Sequence, residues 1–101
     1  MPYNTETQAK ESMNYRVVVY GGNEYGFWNE PTFHSELNDA VKHYADVVFD
    51  QPEGFLGVVL VEVDHEDFRV INRVGEEHEV VYNFGVLRVK RKEKELVVSD
   101  T

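Results

Sequence analysis

Carboxylates are the side chains of this sequence most able to act on another molecule. Glu62, Asp64, Glu66 and Asp67 gather around one expected turn, and Glu76, Glu77 and Glu79 around the next. Glu36, Asp39 and Asp46 add to them from an expected helix. Carboxylates spread over a rigid scaffold reproduce the charge of nucleic-acid phosphates and can occupy a basic groove on another protein. Ordinary solubility is the plain alternative. Close to them in the chain lies YGGNEYGFWNEPTF, residues 20–33, with three of the seven glycines, the only tryptophan and five of the thirteen aromatics. Tyr25 and Trp28 are the anchors expected there, because large rings bury much area at small entropic cost. The competing reading points Phe27 and Phe33 inward and leaves only Tyr25 or Trp28 outside.

Other chemistries find less support. His34, His43, His65 and His78 stand at no metal-ligand spacing such as H-E-x-x-H. His65 and His78 each sit among acids, yet neighbours on a turn diverge, so a solvated acidic turn is expected instead of a metal site. Nearby carboxylates would favour their imidazolium forms, a mild pH sensor. GGNEYG lacks the spacing and the Lys-Ser/Thr of a phosphate loop, and it joins two strands. Ser12 and Ser99 fall in tails and Ser35 in an expected cap, so no Ser-His-Asp arrangement is suggested. Glu62 alone, among valines, is a carboxylate placed to have its pKa raised, and an outward position at the wet end of its strand accounts for it equally. The expectation is a protein that is not an enzyme, with no catalytic residue, metal or cofactor.

These groups must be positioned by a small set of elements. Residues 1–14 are polar and without period, an expected flexible arm. From Tyr15, YRVVVY predicts a strand, and Gly21-Gly22-Asn23-Glu24 a turn. The return strand is expected at residues 25–28 or slightly beyond, ended by Pro31, which has no N–H to donate. Ser35 is the expected helix cap, with Phe33 covering the first turn. Leu37, Ala40, Val41, Tyr44, Ala45 and Val48 recur at helical spacing, and Gln51-Pro52-Glu53-Gly54 stops the helix near Asp50. GVVLVEV within residues 56–63 predicts a central strand covered on both sides. Residues 68–74 return as its hairpin partner, and residues 80–90 read as one long last strand. The fold class is therefore α+β: an antiparallel sheet with one amphipathic helix packed on it, in the order ββαβββ. A single domain is expected over residues 15–90, followed by a charged tail at 91–101.

The 101 residues carry 19 acids against 10 bases, a formal charge of −9. Residues 17–87 account for −11 of this, while residues 88–101 balance at +2. Such a body repels nucleic acid, which needs a cationic footprint. It attracts proteins with basic surfaces. The segment Arg88, Lys90, Arg91, Lys92 and Lys94 has three readings: contact with RNA or an acidic partner, protection of a strand edge, or pairing with the acidic body of a second copy, which would favour a homo-oligomer. No cysteine is present, so neither disulfides nor thiolate metal sites arise. No apolar run has the roughly 20 residues of a membrane helix, and the N-terminus lacks the apolar segment of a secretory signal. A cytoplasmic location is expected, with no membrane partner.

The run Thr32-Phe33-x-Ser35, then Ala40-Val41-x-x-Tyr44-Ala45, following YRVVVYG and a glycine turn, resembles small accessory proteins encoded by bacteriophages. That resemblance covers residues 15–74 and implies a compact α+β inhibitor of a host factor, acting in the host cytoplasm. It transfers no functional residue. The function expected is thus an acidic, non-enzymatic protein that occupies a basic surface of another protein, through Tyr25, Trp28, Glu62, Asp64, Glu66, Asp67, Glu76, Glu77 and Glu79. The alternatives are an oligomeric protein that sequesters a nucleotide or small ligand on its aromatic hairpin, and a structural subunit of a virus particle.

Overall fold

The valine-rich runs become the two central strands of the protein. In the computed structural model, which describes residues 14–65 and 67–92, β1 (Tyr15–Asn23) lies between β2 (Gly26–His34) and β3 (Phe55–Asp64). Strand β4 (Asp67–Gly75) closes the far edge, giving an antiparallel sheet of order β2-β1-β3-β4. Helix α1 (Leu37–Asp50) covers one face. A two-stranded ribbon, β5 (His78–Asn83) with β6 (Val86–Arg91), covers the other. A strand held between two layers must be apolar on both sides. Residues 17–20 and 58–61 are accordingly buried at every position.

Strand alternation divides the core in two. Val17, Val19, Val58 and Leu60 face α1, which seals them with Ala40 and Tyr44. Val18, Tyr20, Val59, Val61 and Val63 face the ribbon, which contributes Leu87 and Val89. Each buried valine or leucine is worth about 1.5–3 kcal/mol relative to an exposed one, so these two clusters dominate the stability of the fold.

The α+β class, the antiparallel pairing and the single helix are as the sequence predicts, and the elements follow the order ββαβββ through β5. The last run differs. Residues 80–90 are two strands, because Phe84 and Gly85 both take positive φ, 52° and 79°, and turn the chain back on itself. This fold-back places Val80, Tyr82, Leu87 and Val89 together against the sheet, which one continuous strand could not do.

Four local expectations are also revised. Gly21, Gly22 and Asn23 belong to β1, and the turn falls at Glu24 and Tyr25. Pro31 does not end β2, which runs on to His34 and pairs Pro31 with Val18. An edge strand tolerates proline because its outward N–H groups have no partner to lose. Glu36, not Ser35, occupies the N-cap of α1, with no side-chain capping bond. Phe33 lies on the ribbon side, under the Arg16 guanidinium at 5.1 Å from the ring centre, instead of over the first helical turn. The arm at residues 1–13, Glu66, and the tail from residue 93 lie outside the described residues.

Candidate functional site

Helix periodicity and strand alternation together build a groove between α1 and the β2 edge. His43, Asp46, Val47 and Asp50 stand at offsets 0, 3, 4 and 7, one stripe of the helix. Glu30 and Thr32, two apart on β2, share the helix-facing side of the sheet with Trp28. With Val19 and Pro52 they line a groove of about 340 Å³. Its floor is apolar (Val19, Val47, Pro52), and three carboxylates (Glu30, Asp46, Asp50) surround it. None of the three is ion-paired among the described residues.

One end of the groove is marked by two imidazoles in contact, His34 and His43, with ring centres 5.4 Å apart and planes tilted by 38°. The Thr32 hydroxyl lies 3.0 Å from His34 Nε2 and also donates to the Val17 carbonyl at 3.3 Å. Burial, and then the neighbouring His43, hold the His34 pKa below its ordinary value, with Asp39 opposing them. His34 is thereby held toward its neutral form, which adds no charge against the three carboxylates. A groove of this kind receives a lysine or arginine side chain well: the methylene stem lies along the valines and the cationic head reaches the carboxylates.

The residues expected from sequence are distributed differently. Tyr25 is 89% exposed at the tip of the β1–β2 turn. Trp28 is half-buried, laid across Gly21 and near Gly54, and it belongs to the helix-side core. A β-carbon on Gly21 would overlap the indole ring and the Gly54 carbonyl, which explains a glycine there. Asp64 and Asp67 flank the β3–β4 turn, while Glu76, Glu77 and Glu79 follow the other end of β4. The nine residues of β4 hold the two groups about 26 Å apart. Glu62 is bound by Arg69 at 2.7 Å and Glu76 by Arg91 at 3.1 Å, so both carboxylates already have cationic partners. Glu66 lies outside the described residues.

Two of the groove carboxylates, Glu30 and Asp50, were not among the acids singled out from sequence. The signal for Asp50 was available in the helical spacing of residues 43, 46, 47 and 50, and that for Glu30 in the strand alternation of residues 28, 30 and 32. Which strand faces that stripe is decided by β2 lying at the sheet edge beside α1. Among the described residues no group of three His, Asp or Glu side chains could hold a metal ion, and no helix there is long and apolar enough to cross a membrane. No protein-family model, curated protein or solved structure matches the chain. Any functional reading therefore stands on the chemistry of this molecule alone.

Proposed function

We propose that the protein is a non-enzymatic binding protein that docks, through the α1–β2 groove, onto a basic surface of another protein. The observation that carries this reading is the groove itself: three carboxylates around an apolar floor, none ion-paired among the described residues. From residue 17 to residue 68 the sequence has eleven acids and one base, Lys42. These residues form β1, β2, α1, β3 and the start of β4. An excess of charge of one sign speeds encounter with an oppositely charged partner and suppresses wrong ones. Where the partner uses its basic surface to hold DNA or RNA, occupation by this protein blocks that use, the role of an inhibitor.

The test is binding of lysine- and arginine-rich peptides by the unaltered protein and by two variants. One, Glu30→Gln with Asp46→Asn and Asp50→Asn, neutralises the groove. The other, Asp64→Asn with Asp67→Asn and Glu77→Gln, neutralises the turns at either end of β4. The groove variant is expected to bind about tenfold more weakly or worse, and the turn variant nearly as well as the unaltered protein. Affinity should also fall steeply with salt. Equal loss in both variants, or binding indifferent to salt, would reject the groove.

A further inference from the structure

The last turn of α1 and a cleft between β2 and β6 lie on opposite faces of the sheet, and each has what the other lacks. Phe49 is 88% exposed, more than any other large apolar side chain of the helix. Asp46 precedes it by three residues and Asp50 by four, so Asp46, Phe49 and Asp50 form one exposed ridge. The last turn contains no base, and the C-terminal end of the helix dipole adds negative potential there. A phenyl ring held in water between two carboxylates contributes nothing to the core, whereas aromatic rings are enriched where one protein meets another.

On the ribbon, strand alternation turns Leu87 and Val89 toward the sheet and Arg88 and Lys90 outward. Arg88, Lys90 and Arg91 line a cleft of about 500 Å³ together with Phe27, Val81 and Val89. Arg91 is held by Glu76 at 3.1 Å, but Arg88 and Lys90 have no ion pair among the described residues. Residues 80–92 include four bases and no acid. Glu79 stands opposite Lys90 in the ribbon and does not line the cleft. The cleft is therefore apolar with charge of one sign, positive. A cavity of about 150 Å³ accepts benzene, so a phenyl ring has room here. Carboxylates four apart on a helix are separated by about 6 Å, and cations two apart on a strand by about 6.6 Å, so two pairs can form at once.

We infer that the end of α1 of one copy docks into the β2–β6 cleft of a second copy, with Phe49 against Phe27, Val81 and Val89, and with Asp46 and Asp50 paired to Arg88 and Lys90. The ridge and the cleft are on opposite faces, so the contact is head-to-tail. Every pair keeps one free ridge and one free cleft, and copies add as a chain or ring instead of stopping at two. Each copy has a net charge of −9, but at physiological salt that repulsion is screened over about 8 Å, while the paired groups are in contact. The inference goes beyond the groove reading: it shares Asp46 and Asp50 with the groove and uses none of its floor.

The experiment is sedimentation equilibrium of the full chain, up to about 0.5 mM protein at about 0.15 M salt. The mean mass should rise with concentration past that of a dimer. Phe49→Ser removes the ridge's ring, and Arg88→Glu with Lys90→Gln removes the cleft's charge, all at exposed positions. Each variant alone should associate about tenfold more weakly or worse. Mixed in equal amounts they should associate again and stop at the dimer, because one still has a cleft and the other a ridge. An unaltered chain that stays monomeric, a variant that associates as the unaltered chain does, or a mixture that stays monomeric or grows past the dimer would each overturn the inference. Should a variant melt early, the mass of the unaltered chain decides alone. Phe49 does not line the acidic groove, so Phe49→Ser should still bind lysine-rich peptides, and failure of the groove and failure of this contact give different results.

Discussion

The helix and the ribbon cover opposite faces of one sheet, but they are attached by different means. Helix α1 is attached by packing: Ala40 and Tyr44 are buried against Val17, Val19, Val58 and Leu60. No side-chain hydrogen bond links α1 to the sheet among the described residues, and even the buried Tyr44 hydroxyl has no partner. The ribbon is pinned by polar contacts. Asn29 donates to the Val89 carbonyl at 3.0 Å and accepts from the Val89 N–H at 2.6 Å. Arg16 donates to the Gly85 carbonyl at 3.0 Å, Tyr82 to the His65 carbonyl at 2.8 Å, and Tyr20 meets His78. An amphipathic helix presents one apolar stripe, which sets its rotation. A two-stranded ribbon is marginal alone and could slide over a surface of valines, so directional bonds at several points along its length fix its register.

This contrast can be broken most severely at Gly57. A β-carbon there would overlap the Tyr20 hydroxyl and lie 2.7 Å from the Val74 carbonyl oxygen. Gly57→Ala should cost about 3 kcal/mol or more, through overpacking and loss of the tyrosine's bonds, seen as a lower denaturant midpoint. Tyr20→Phe isolates the second cause and should cost about 1–3 kcal/mol. It also carries a pH signature. Burial, with the Glu76 charge second, pushes the Tyr20 pKa up to about 12 from 10.0. The folded state therefore favours the neutral hydroxyl, so this contribution is intact below pH 10 and is lost as the pH rises from 10 toward 12. Stability should decline over that window in the unaltered protein, and less so in Tyr20→Phe.

Asn29→Ala removes both bonds to Val89 and should cost about 1–2 kcal/mol. Hydrogen exchange should quicken in β5 and β6 while α1 keeps its protection. Equal loosening of both layers would show that the ribbon is held by packing after all. Phe84 is 99% exposed and takes a left-handed conformation that suits asparagine. Phe84→Asn should stabilise the protein by about 0.5–1 kcal/mol in thermal melts, through the ribbon's turn alone. The smallest effect belongs to the helix side. Because the His34 pKa is lowered, its contribution is intact above the ordinary value of 6.5 and is lost as the pH falls below it. His34→Gln should make the stability profile flatter between pH 7 and 5.

Much of this architecture was legible in one dimension. The offsets of Leu37, Ala40, Val41 and Tyr44 announce a helix with a single apolar face, because backbone geometry alone sets the period of 3.6. Valine on consecutive positions in residues 17–19 and 58–59 announces a strand covered on both sides. The break at Phe84 was hidden, because a phenylalanine in left-handed conformation has no sequence signal comparable to Asn-Gly. Pro31 and Ser35 misled for a related reason: whether a missing N–H matters, and whether a hydroxyl caps, depends on what lies beside them.

The sequence by itself determined the helix, the buried valine strands and the excess of acids, since each follows from local sterics or from counting charge. Only the tertiary structure decided which acids meet. Glu30, Asp46 and Asp50 converge because an edge strand runs beside a helix, while acids that cluster in sequence end up at opposite ends of β4 or bound to Arg69 and Arg91. It alone also placed His78 beneath Tyr20, 58 residues away. Contacts of that range depend on how layers stack, and the pattern of neighbours along a chain carries no record of that.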